Sequence, residues 1–424
     1  MSHVVTCKIY DLATSQLADI SPIALEKSMT RLHNGPRGFT IKAPAGHSLL
    51  TTVAGDGYRN LRKGNRKLLV WEDGNIVFHG RVFGVERNGD GTKNTATITA
   101  WDPWMELGFD SESRAGRPVR DSTGNFINPT FTSSVGGQTE ISGPDLIKQV
   151  LTNSMVVGAE TPGPGGEGPL PIDLTTGSFD LTVPPAVDLR PVLKMDWPIL
   201  IGDFIKELVS TNVVDVNLRP VDPSEGLNNY KMAALSAVSS FGTDRHATVH
   251  FDYMTGSKNA IACRHVEDFS TINNKLYDYL GPRRDQSHWT ANITPPGSIG
   301  TIIDNSRARY GGAGTDKGQF MSIRILDTTG SEADARPLYA ALWLAEQRLR
   351  VEPRDLLFIT PAPDAQALYE APHDFDVGDL ITVKTGGDFG LTLNETQRVY
   401  GYTRTWNREN VASMSQLLTS ADPA

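Results

Sequence analysis

Apolar and polar residues alternate with a period of two over several short stretches of this chain, the pattern of strands with one buried face. Residues 3–10 (His-Val-Val-Thr-Cys-Lys-Ile-Tyr) are rich in β-branched types and predict a strand. Residues 39–42 predict another. Residues 68–83 predict a hairpin, because Asp73-Gly74 supplies the two positive-φ positions that a tight β-turn needs. An Asn88-Gly89-Asp90-Gly91 turn leads on to residues 95–101, where Ala96, Ile98 and Ala100 alternate with threonines. About five strands in the first ~110 residues predict one small sandwich or barrel.

The pattern then changes. Residues 111–141 are polar, carry no sustained period and predict an extended excursion. Residues 144–151 predict a short helix with Leu146, Ile147, Val150 and Leu151 on one side. Residues 158–172 are so rich in Gly and Pro that a loop is expected. Residues 198–209 predict a helix with Ile201, Phe204, Ile205 and Leu208 on its apolar face. Three strands follow, over 213–218, 231–238 and 245–253, which together with that helix predict a small α+β unit. Residues 331–350 predict the longest helix, with Leu338, Leu342, Ala345 and Leu349 as its core stripe. Residues 356–360 predict a strand. A second terminal hairpin follows, from residues 375–383 and 398–406, and residues 411–418 are expected to pair or turn.

The expected fold class is therefore mainly β with α+β parts, with small barrel-type domains at both ends. The expected division is a first tube-like barrel over 1–110, a loop-rich insertion over 111–195, an α+β domain over 196–330, and a helix plus second barrel over 331–424. At 424 residues the chain exceeds the size at which one core keeps growing, so several domains are expected. No short internal repeat is visible, which excludes a solenoid or propeller.

Composition narrows the function. The formal net charge is −9 and Lys and Arg form no long run, which argues against non-specific nucleic-acid binding. Cys7 and Cys263 are the two cysteines, too few for a disulfide framework and without zinc-ligand spacing; free thiols are expected. The N-terminal stretch has neither the basic nor the apolar region of a signal peptide, and no run approaches the roughly 20 apolar residues of a membrane helix. A protein made in the cytoplasm and soluble there is expected, without a membrane anchor.

Candidate chemistry is sparse. Gly163-Pro164-Gly165-Gly166-Glu167-Gly168 matches a dinucleotide-binding glycine string but lacks the strand before and helix after that would aim a helix N-terminus at a phosphate. His246 and His250 are expected to share a strand face, yet two ligands do not close a zinc site. His265-Val266-Glu267-Asp268 sets an imidazole near two carboxylates, and a turn or helix start is expected there. Cys263 and His265 would point the same way on a strand. Asp376 and Asp379 flank Val377-Gly378 and are expected to serve the turn backbone. The seven tryptophans, Trp101 and Trp104 among them, leave three readings open: core, subunit contact or sugar-binding face. No catalytic residue, cofactor-binding residue, metal ligand or cofactor is assigned, and no enzymatic activity is expected.

Two runs carry a family likeness. Val70-Trp71-Glu72-Asp73-Gly74-Asn75-Ile76-Val77-Phe78-His79-Gly80-Arg81-Val82, followed by Ile98-Thr99-Ala100-Trp101-Asp102-Pro103-Trp104-Met105-Glu106-Leu107, resembles the N-terminal domain of tailed-phage tail-tip hub proteins. Phe375-Asp376-Val377-Gly378-Asp379-Leu380-Ile381-Thr382-Val383 resembles their C-terminal strand. Between them, residues 268–276 and Arg307-Ala308-Arg309-Tyr310-Gly311 resemble further hub segments in the same order. The insertion at about 111–190 departs from the family pattern. Among tail proteins, the chain resembles minor tail proteins of long-tailed actinobacterial phages. The resemblance implies a structural baseplate hub without catalysis, assembled in the host cytoplasm and resident at the virion tail tip. It implies a homotrimer whose two barrels per chain imitate a sixfold ring. The implied partners are the distal tail ring, the tape measure protein and other tail-tip proteins, with DNA in transit but no specific nucleic-acid binding. Edges left open in each barrel would pair with a neighbour. A carbohydrate-binding virion adhesin is the alternative, and a cell-wall hydrolase a third reading.

Overall fold

The structure is a computed structural model that describes residues 3–12, 15–54, 59–61, 66–89, 94–107, 118–125, 131–136, 141–159, 171–182, 200–210, 214–225, 231–268, 272, 275–280, 289–290, 321–326, 354–362, 369–390 and 392–420. The expected helix over 331–350, the glycine string at 163–168 and the 307–311 segment lie outside the described residues.

The N-terminal part is built from β1 (Val5–Tyr10), β2 (Gln16–Asp19), β3 (Glu26–Leu32), β4 (Arg37–Pro44), a one-turn helix α1 (Ser48–Thr51), β5 (Lys67–Glu72), β6 (Asn75–Gly89) and β7 (Asn94–Trp101). Alternation dictates which face is inside. Ala96, Ile98 and Ala100 of β7 are fully buried, as are Cys7 and Ile9 of β1. The β5–β6 turn forms where expected: Asp73 and Gly74 take φ of 49° and 84°, the geometry that lets two strands twist together without splaying. Seven strands stand where the apolar pattern alone gives five. The additional pair, β2 and β3, has a polar sequence.

The middle of the chain supplies α2 (Gly143–Ala159), β8 (Ile172–Asp173), α3 (Ile201–Ser210), β9 (Asp215–Pro220) and β10 (Ala233–Val238). Helix α2 runs on past residue 151, through the first positions assigned to the glycine-rich loop. β9 and β10 pair antiparallel, and β8 joins β10 in parallel. The four apolar residues expected on α3, Ile201, Phe204, Ile205 and Leu208, are all buried. They meet Leu146, Ile147, Val150 and Leu151 of α2 in one apolar core with Trp104, Val119, Phe131 and the inner face of β9 and β10.

The third strand expected in this α+β unit goes elsewhere. Only His250–Tyr253 is extended (β11), because Thr248 and Val249 donate their backbone N–H groups back to the Arg245 carbonyl and make a turn of the preceding residues. β11 leaves the small sheet and pairs in parallel with β17 (Leu380–Thr385) and with β12 (Ala260–Asp268). The chain continues through β13 (Lys275–Leu280), β14 (Trp289–Thr290) and β15 (Met321–Leu326), a separate three-stranded sheet. It ends with β16 (Arg354–Pro361), β17 (Leu380–Thr385), β18 (Asn394–Trp406) and β19 (Ala412–Ser420). The second terminal hairpin and the pairing of the last segment are thus as expected.

Thirteen strands form one sheet, in the order β17-β11-β12-β16-β19-β18-β3-β4-β7-β6-β5-β1-β2. β17 also pairs with β18, so the first six close into a barrel. Closure removes the edges of that barrel, which corrects the expectation of an open edge in each. The N-terminal sheet keeps one terminal strand, β2. A single apolar core runs under both parts, from Val5, Phe39 and Ile98 to Phe251, Ile359, Val383 and Leu417. The fold is mainly β, with the α+β parts attached to it.

Two glycines of the β5–β6 hairpin separate conformational strain from crowding. A Cβ at Gly74 meets nothing within 4 Å, whereas one at Gly80 would overlap the Trp101 carbonyl and lie 2.6 Å from Phe78 Cζ. Gly74→Ala is expected to cost about 1–2 kcal/mol of stability, and Gly74→Asn much less, since Asn tolerates positive φ. At Gly80 both substitutions are expected to destabilise, and urea unfolding of the four variants measures the contrast.

Candidate functional site: a shared strand and its buried ion network

β18 belongs to both halves of the large sheet. Its first residues, Asn394 to Arg398, pair with β17 and close the barrel. Its later residues, Gly401 to Trp406, pair with β3 of the N-terminal sheet. The changeover falls at a bulge between Val399 and Gly401. A Cβ at Gly401 would lie 2.8 Å from Leu32 Cδ2 and 2.9 Å from the Arg31 carbonyl, so glycine permits the close approach of the two backbones.

The far half of β18 turns charge inward. Arg404 is 2% exposed; its Nη1 donates to Glu72 Oε2 at 2.7 Å and to the Ala371 carbonyl at 2.9 Å. Glu72, equally buried, accepts from Trp406 Nε1 at 2.9 Å through its other oxygen. Glu370 stands 3.5 Å from Arg404 Nη2. His3 reaches the same cluster, with Nδ1 2.7 Å from Asp73 Oδ2 and 3.4 Å from Glu72 Oε1, and Nε2 3.3 Å from Glu370 Oε1. Burial alone would lower the His3 pKa, but the hydrogen bonds and charges of Asp73, Glu72 and Glu370 outweigh it and the net shift is upward. Four separate pieces of chain meet here: the N-terminus, the end of β5, residues 370–371 and β18.

A second polar seam joins the large sheet to the α+β unit. Asn34 brackets the start of β9, donating to Asp215 Oδ1 at 2.6 Å and accepting from Val216 N–H at 2.7 Å. Burial pushes the Asp215 carboxyl up, but hydrogen bonds from His33, Asn34 and the Phe241 N–H hold it below the usual range. Trp71 Nε1 donates to Asp222 at 2.5 Å. Burial depresses His79 to about 4, so its neutral ring donates Nδ1–H to the Val221 carbonyl at 2.8 Å. Arg37 gives one N–H to the Val77 carbonyl at 2.8 Å and another to the Leu218 carbonyl at 3.4 Å. Asp102 is driven up to about 7 by burial, against the pull of Arg37 and of backbone N–H donors. These contacts fix the end of the first sheet against β9 and the segment after it.

The residues singled out in the sequence fall as follows. His246 lies in a turn beside Asp244, while His250 is on β11, 3.4 Å from Tyr369 Oη, so the two do not share a strand face. His265, Glu267 and Asp268 lie in the strand β12, not in a turn or helix start. Cys263 and His265 do face the same way. Both cysteines are free, with burial pushing Cys263 up to about 11 and Cys7 to about 12. Asp379 accepts the backbone N–H groups of Thr243 and Asp376, and Gly378 takes φ of 91°, so this pair serves the backbone as expected. Asp376 also pairs with Arg31. Trp104 and Trp406 are buried core residues, and Lys8 Nζ lies 5.5 Å over the Trp71 ring. Nothing in the local sequence marks Glu72 and Arg404, because the two stand 332 positions apart.

The chain is similar in structure to prophage tail protein gp18 from Listeria monocytogenes EGD-e, with 12% identity, 98% of this chain and 94% of that chain covered, and a TM-score of 0.50. The 43 kDa tail protein of prophage MuSo2 from Shewanella oneidensis shows 12% identity, covering 98% of this chain and 97% of that one at a TM-score of 0.49. A tail protein from Neisseria meningitidis MC58 shows 11% identity, with 100% and 97% covered and a TM-score of 0.46. No protein-family model and no curated protein matches the chain. The fold is therefore of the phage tail-protein type.

Removing one member of the buried network tests it. Arg404→Met strands the Glu72 carboxylate and is expected to cost about 3–5 kcal/mol. The double variant Arg404→Met/Glu72→Leu is expected to recover most of that loss in chemical denaturation. For His3, a folded pKa above the ordinary 6.5 means its stabilisation is complete below pH 6.5 and is lost as pH rises through the raised value. His3→Gln is expected to remove that component of the stability–pH profile.

Proposed function

We propose that this chain is a structural hub of the distal phage tail tip, acting as a trimeric ring between the sixfold tail tube, with its distal tail ring, and the tip, through which DNA passes. The supporting observation is the sharing of β18. It holds a closed barrel and the N-terminal sheet in one register within one chain, so three chains present six β units around an axis. The first tube-like unit is assigned to residues 1–110. The second is assigned to the barrel to which residues 331–424 bring β16, β17, β18 and β19, with β11 and β12 completing it. The region 111–195, and 196–330 apart from β11 and β12, are assigned to the attached parts.

The likeness to a prophage tail protein supports a tail-associated structural role. Its partners would be the distal tail ring, the tape measure protein and other tip proteins, with assembly in the host cytoplasm. The role is architectural rather than catalytic, with function residing in geometry and timed opening. DNA would pass without specific binding, in keeping with a net charge of −9. With one barrel closed, edge pairing between subunits would run through β2 of the N-terminal sheet.

Light scattering of the purified protein is expected to give three times the 46.2 kDa chain mass. A species that stays monomeric at high concentration would overturn the ring.

A further inference from the structure

The interior face of the closed barrel changes character at one end. β12 and β16 run antiparallel, with Cys263 opposite Ile359, His265 opposite Leu357 and Glu267 opposite Asp355. Alternate residues share a face, so Cys263, His265 and Glu267 of β12 stand with Ile359, Leu357 and Asp355 of β16. Leu357 and Ile359 are buried in the core and Cys263 packs against it. This is therefore the inner side, and the three polar residues lie where β12 ends and β16 begins. The Arg264 guanidinium projects to the opposite face, 4.1 Å over the Phe358 ring.

Glu267 and Asp355 are directly opposed across an antiparallel pair, an arrangement in which like charges repel. His265 Nε2 lies 3.7 Å from Asp355 Oδ1, is shielded from solvent and makes no hydrogen bond among the described residues. One ligand atom from each of His265, Glu267 and Asp355 lies within 4.8 Å of the others. An imidazole nitrogen and two carboxylate oxygens on two rigid strands form a donor set suited to a first-row divalent ion.

We propose that His265, Glu267 and Asp355 bind one Zn2+ per chain at the mouth of the closed barrel, where the ion staples β12 to β16. The imidazole Nε2 is one donor, and each carboxylate supplies an oxygen. Because the three residues converge only when the barrel is formed, the ion stabilises the folded chain over the unfolded one.

The test uses the full chain, dialysed against a chelator and titrated with zinc chloride in a calorimeter. Saturable binding of one ion per chain and a raised thermal midpoint are expected. His265→Ala and Glu267→Gln are each expected to weaken binding on the order of 10–100-fold, while His246→Ala, which alters an exposed histidine elsewhere, leaves it unchanged. Glu267→Gln keeps the shape of an exposed side chain and decides the matter if His265→Ala does not fold. Co2+ in place of zinc is expected to give a visible spectrum without thiolate charge-transfer bands. No saturable binding, equal affinity in both variants, or thiolate bands placing Cys263 in the site would overturn the proposal.

Discussion

A carboxylate and a guanidinium taken out of water together make the two ends of this chain depend on each other. Glu72 closes β5 and Arg404 lies on β18, and each is about 2% exposed. Either charge alone in that position would lose its hydration without compensation, a penalty of several kcal/mol per ion. The pair is tolerable only when β5, β18 and the carbonyl of Ala371 are all in place. The apolar core gives the sheet its bulk stability and fixes which face of each strand is inside. The ion network, with Trp406 and His3 bound into it, accepts one register of β18 against the N-terminal strands.

Much of the strand content was legible because burial and alternation coincide. β7 is the clearest case, with every second residue apolar and fully buried. The β5–β6 turn was legible for a different reason: Asp-Gly at the turn position suits the positive φ of both residues. β3 was hidden by the same ion chemistry that matters most. Its inward positions include Lys27 and Arg31 beside Met29, so the expected apolar period is broken. Lys27 is 1% exposed and donates to Asn410 Oδ1 at 2.6 Å, a partner 383 positions away. Arg31 pairs with Asp376. No window of local sequence contains both halves of such a contact.

The candidate sites failed to show in the sequence for a related reason. His265 and Glu267 were visible as a motif, but the strand that holds them and the opposed Asp355 come from pairing with β16. His246 and His250 erred the other way: spacing put them on one face, and a local turn, fixed by hydrogen bonds to the Arg245 carbonyl, separated them. β11 alternates in sequence but not in burial, with Asp252 buried beside Phe251, and it joined the barrel instead of its sequence neighbours. Local pattern reports which side of a strand is wet, and remains silent about which sheet the strand enters.

The pairing of β3 with β18 also sets an order of events during synthesis. β3 is made long before its partner, since Leu32 pairs with Gly401 and Lys27 with Trp406. Until then one border of the nascent N-terminal sheet has unsatisfied backbone donors and acceptors, and Lys27 and Arg31 lack their distant partners. Such non-local contacts are slow to close because the intervening chain must first be brought together. A polar, cationic border on an unfinished sheet is also a poor template for association with other nascent chains. The charged residues that make β3 hard to recognise thus act as a guard during elongation, and become structural ties once the last strands arrive.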